Sequence, residues 1–132
     1  MNELKQVVLL REKMKILQEE IIKIETLVTK INKELSPVYS DGSGKKSGNE
    51  DLIIELVEMK NEYLKESVKY AKVKRKIIKK IIKIQNKNQM VLLYRRYVLG
   101  MNLAETAQSM NITYKWAQEL HKRGVNSYNN IV

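Results

Sequence analysis

The chain has no cysteine, no phenylalanine, one proline and one histidine in 132 residues. Without thiols it can build neither a disulfide framework nor a zinc-thiolate site, so the metal-finger route to nucleic acid is closed and a reducing compartment is the natural setting. A lone histidine with no second His or Cys nearby does not make a metal site. Nothing resembles an activated nucleophile or a paired catalytic acid and base, so the expectation is a chain that is not an enzyme and takes no cofactor. No apolar run approaches the roughly 18 to 20 residues that cross a bilayer, and Lys5, Arg11 and Lys13 interrupt the place where a signal-peptide core would lie. No membrane partner is expected. Acidic residues are also scarce, 15 against 25 Lys and Arg, which leaves a net charge of +10 and makes polyanions the favoured partners.

What the chain does have is helix-forming residues in helical register. Apolar side chains fall at Val7, Leu10, Met14, Leu17, Ile21, Ile24, Val28, Ile31 and Leu35, alternately three and four residues apart, which is a heptad seam. A helix over 2–35 would be roughly 50 Å long. The segment from Ser36 to Asn49 holds the only proline and three of the five glycines, so it reads as a flexible loop. Its Gly44-Lys45-Lys46-Ser47 is a poor match to a phosphate-binding loop, because Tyr39 stands where that motif needs glycine and Lys46 where it needs Ser or Thr. A second helix is expected from about Glu50 to Gln85 with Asn49 as its cap. Its seam runs through Leu52, Leu56, Met59, Tyr63, Glu66, Tyr70, Val73, Ile77, Lys80 and Ile84, where Glu66 and Lys80 break the apolar rule.

Two amphipathic helices of similar length bury their stripes most simply as an antiparallel hairpin, closed within one chain or paired with a second copy in a homodimer. The fold class expected is therefore all-α, with a helical hairpin (coiled-coil arm) over residues 1–87 and a separate module over 88–132. From Lys69 to Lys87 the second helix carries basic residues with no acid among them. Lys76, Lys79 and Lys83 on that stretch read equally well as a solvated face or as phosphate contacts.

The module follows a break at Asn86, Lys87 and Asn88. A helical pattern through Met90, Leu93, Tyr94, Tyr97 and Val98 ends at Gly100, Leu103 to Met110 forms a short second helix, and Thr113 to about Tyr128 a third. Ala107 is small enough for close helix approach, Asn111 suits a left-handed turn position, and Thr113 suits a helix N-cap. This is the layout of a helix-turn-helix. Ile112, Ala117, Leu120 and Val125 face inward, leaving Tyr114, Lys115, Gln118, Glu119 and Lys122 outward. A recognition helix reads base edges with its N-terminal turns. Lys115 would donate to guanine, Gln118 would pair with adenine, Tyr114 would reach a phosphate or a thymine methyl, and Lys122 and Arg123 would meet phosphates. Trp116 reads as helix packing, and His121 as a polar flank.

The stretch NQMVLLYRRYVLGMNLAETAQSMNITYKWAQELHKRGVNSY resembles region 4 of bacterial sigma-70 factors, and YRRYVLG with YKWAQELHKR is similar to small phage-encoded late transcription regulators of the ArpU and RinA-like type and the positive control factor of prophages. The resemblance implies a DNA-binding domain that reads with Tyr114, Lys115 and Gln118 around the cap Thr113. RNA polymerase is then an expected contact, and the bacterial host cytoplasm the place of action. Sigma factors commonly carry arginine, glutamate and arginine at those three positions, so a standard minus 35 element is not the expected target. Two other classes combine similar parts: a small terminase-like packaging subunit, and a coiled-coil adaptor that does not touch DNA.

Overall fold

A computed structural model describes residues 2–34 and 47–132, and within them the chain is helical with no strand. The elements are α1 (Glu3–Glu34), α2 (Ser47–Ile81), α3 (Lys87–Leu93) running into one π turn (Tyr94–Val98), α4 (Leu103–Ser109) and α5 (Tyr114–Asn129). The all-α class, two long helices followed by three short ones, is the architecture expected from the apolar spacing. Leu35 and most of the expected loop over 36–49 lie outside the described residues. Among the described residues no helix is long and apolar enough to cross a membrane.

The chain divides into two compact units, Leu10–Lys69 and a second made of Met1–Leu9 with Tyr70–Val132. In the first, α1 and α2 run antiparallel: Lys13 pairs with Glu66 at 3.9 Å, Glu25 with Lys60 at 3.0 Å, and Asn49 Nδ2 donates to Asn32 Oδ1 at 2.8 Å. As the α1 number rises its partner's number falls, which only an antiparallel pair produces. The hairpin therefore closes within one chain. The seam residues of this unit are buried or half-buried throughout the described part, as the heptad spacing requires. Asn49 is not a cap. Helix α2 begins at Ser47, and the Asn49 side chain reaches across to α1 instead.

Glu66, the polar exception in the seam, is 4% exposed. Its Oε2 accepts from Lys69 Nζ at 3.2 Å, and its Oε1 has the 3.9 Å pairing to Lys13 without a hydrogen bond. A carboxylate between two tyrosine layers of the seam is tolerated only because lysines reach it from the rim.

In the second unit Leu4, Val7, Val73, Ile77, Ile81 and Ile84 are buried together with the apolar faces of α3, α4 and α5. The compact unit holding the C-terminal helices is thus larger than residues 88–132. Lys80, the other polar seam position, pairs with Glu3 at 3.3 Å and lies 4.8 Å above the Tyr128 ring. That arrangement ties the start of α1 and the end of α2 to the end of α5. Burial, with the Glu3 carboxylate nearby, pushes the Tyr128 hydroxyl well above its ordinary pKa. Asn2 caps α1 by accepting from the Lys5 amide at 3.1 Å, and Asn86 caps α3 by accepting from the Gln89 amide at 3.0 Å.

Candidate nucleic-acid interface

Helix α5 is held in place by a tight turn, two caps and one close approach. Asn102 and Glu105 form a reciprocal capping box at the start of α4, each side chain accepting from the other's backbone N–H, at 2.8 and 2.9 Å. At its end Asn111 takes a left-handed φ of 56°, and the Ile112 amide donates back to the Ala107 carbonyl at 3.0 Å. Thr113 then caps α5 by accepting from the Trp116 amide at 3.0 Å. Thr113 was expected among the DNA-binding residues, and its hydroxyl oxygen is engaged in this cap. Thr106, fully buried in α4, satisfies its hydroxyl on the Asn102 carbonyl at 2.9 Å. No polar atom of Thr106 is stranded.

The π turn does work that sequence spacing does not announce. After Tyr94 the register slips to a five-residue hydrogen bond, from the Leu99 amide to the Tyr94 carbonyl, and Gly100 leaves the turn at φ 82°. Arg95 reaches the end of α4, where its Nη1 donates to the Ser109 carbonyl and hydroxyl, both at 2.9 Å. Orphan groups at the α4 terminus are thereby satisfied next to the turn. Gly124 permits the crossing of α3 and α5, since a Cβ there would stand 3.3 Å from Leu93 Cγ.

With the inner side of α5 occupied by Ala117, Leu120, Gly124 and Tyr128, its outer side faces solvent. Tyr114, Lys115, Gln118, Lys122 and Arg123 are exposed, and Glu119 is half-exposed. A shallow groove runs along Thr113, Lys115, Trp116, Gln118, Glu119 and Lys122. Trp116 is not packed between helices but 40% exposed, with the Arg123 guanidinium 5.4 Å from its ring centre. Arg123 also pairs with Glu119 at 3.0 Å, so it is held over the indole rather than free. The spacing could have revealed this, because Trp116, Glu119 and Arg123 recur three and four residues apart on the flank of the inward set. His121 is not a polar flank residue. It is half-buried, its Nε2 is 2.7 Å from the Tyr97 hydroxyl, and the two rings stack. Burial and the Arg96 charge hold His121 below its ordinary pKa, which favours a neutral ring accepting the phenol proton.

Charge separates cleanly between the two units. The unit carrying α5 holds fourteen Lys and Arg against three Asp and Glu, and the other holds eleven against twelve. The excess positive charge of the chain therefore belongs entirely to the unit with the exposed helix face. Lys76, Lys79 and Lys83 are exposed in that unit and make no ion pair among the described residues. Comparison with known proteins returned no similar family model, curated protein or solved structure.

Proposed function

We propose that this chain binds duplex DNA by laying the N-terminal half of α5 in the major groove, and that it acts as a phage or prophage transcription regulator with RNA polymerase as its protein contact. The observation that carries the reading is the conjunction at α5: a capped helix after a tight turn, its inner side consumed by packing, its outer side polar and exposed, in the unit that holds all the excess positive charge. A helix so presented can enter a major groove, where Gln118 matches the adenine edge and Lys115 the guanine edge. Trp116, with Arg123 above it, adds a flat apolar surface suited to a thymine methyl or a sugar. Lys122, Lys76, Lys79 and Lys83 supply the charge that phosphates attract.

Selection from a randomised duplex pool with the full chain tests this reading. One enriched motif is expected. On that motif Gln118→Ala should weaken binding by about 1–3 kcal/mol and relax preference at one base position. Absence of any enriched motif, or equal weakening on every duplex, would remove direct readout by α5.

A further inference from the structure

The unit Leu10–Lys69 has a second apolar stripe. On α2, Ile54, Val57, Leu64 and Val68 are all more than half exposed, and with Asn61 they repeat at intervals of three and four residues. At 100° per residue they fall within an arc of roughly 80°, on the side of α2 away from the buried seam. The exposed apolar residues of α1 form no such line, since Glu20 and Lys23, paired at 2.9 Å, stand between Ile16 and Leu27. A stripe of this period matches another helix by knobs-into-holes packing, with Asn61 as its one polar position.

We propose that this face of α2 pairs antiparallel with the same face of a second copy of the chain. The flanking charges decide the partner and the direction. With Val57 of one copy opposite Val68 of the other, Asn61 lies opposite Leu64, and Glu58 of each copy falls beside Lys65 of its mate, twice over by symmetry. Neither Glu58 nor Lys65 takes part in an ion pair among the described residues, so both are free for that contact. A parallel pair would instead set Lys60 beside Lys65, like against like. The unit that carries the stripe is nearly neutral, with eleven basic against twelve acidic residues. Two copies can therefore approach there without the repulsion that the basic unit would impose. The pairing stands whether or not α5 reads DNA.

Sedimentation equilibrium of the full chain over a wide concentration range, without DNA, tests the pairing. The expected result is a reversible monomer–dimer equilibrium. Leu64→Glu, at an exposed site, should yield monomer while the far-ultraviolet helix signal stays unchanged. Glu58→Lys and Lys65→Glu should each raise the dimer midpoint concentration by about tenfold, since two attractive contacts become repulsive. An equimolar mixture of those two variants should dimerise again, because each then supplies what the other lacks. Three results would overturn the proposal: monomer at every concentration, a dimer indifferent to Leu64→Glu, or a mixture no tighter than its separate components. Disulfide capture between single Ile54→Cys chains, which antiparallel pairing in this register holds roughly 25 Å apart along the helix axis, would overturn it as well.

Discussion

Replacing Glu66 with leucine should make the helical hairpin more stable, although it deletes two ion pairs. The carboxylate is 4% exposed, and withdrawing it from water costs several kcal/mol even after relaxation. Its partners return little. The Lys13 and Lys69 side chains are 53% and 60% exposed, so each pairing is screened by solvent and contributes about 0–1 kcal/mol. One carboxylate oxygen has no hydrogen bond at all. A leucine of similar volume in the seam would add about 1.5–3 kcal/mol of apolar burial. The net expectation is a gain of about 2 kcal/mol, inside the range seen when buried ion pairs give way to apolar groups. With a urea slope of about 2 kcal/mol per molar, the midpoint should rise by about 1 M. Far-ultraviolet circular dichroism follows the hairpin, while the only tryptophan, Trp116, reports the unit that holds α5. The dichroism midpoint should move and the fluorescence midpoint should move less. An unchanged or lowered dichroism midpoint would show that the lysines more than offset the burial, refuting the reasoning.

Neutralising Lys76, Lys79 and Lys83 to glutamine should flatten the salt dependence of DNA binding by up to about three charges without changing sequence preference; fluorescence anisotropy at several salt concentrations reads this, and an unaltered slope would make the face merely solvated. Asn111 is exposed and left-handed, so Asn111→Ala should destabilise the turn by about 1 kcal/mol while Asn111→Gly is neutral or better, as followed by Trp116 fluorescence in urea. The folded state lowers the His121 pKa, so the neutral ring's contribution is fully present above about pH 6.5, the unfolded value, and is lost as pH falls through the lower folded value. His121→Gln should remove that acid-side loss of stability, and a wild-type profile that stays flat from pH 7 to 5 would contradict the assignment.

The hairpin was legible because a seam is a one-dimensional signal: Val7 through Ile31 and Leu52 through Ile84 repeat with the period of the surface they bury. Even the two polar interruptions were visible as interruptions, though not the reasons for their tolerance. Lys80 is matched by Glu3 and Glu66 by Lys13, partners more than fifty residues distant in the chain, which periodicity cannot supply. The second stripe on α2 was hidden for the opposite reason: two apolar periods superposed on one helix look like plain hydrophobicity until one of them is seen to be buried. At the candidate interface the turn chemistry of Asn111 and Thr113 and the outward set on α5 followed from local rules. Trp116 and His121 exchanged the surroundings expected of them. Size alone suggested burial for the indole and polarity alone suggested exposure for the imidazole, yet the π turn and the Gly124 crossing accompany the pairing of Tyr97 with His121 and leave Trp116 on the flank with Arg123. Where a side chain's fate depends on which helix crosses it, residue type is a weak guide, and in this chain those positions cluster around the face proposed to meet DNA.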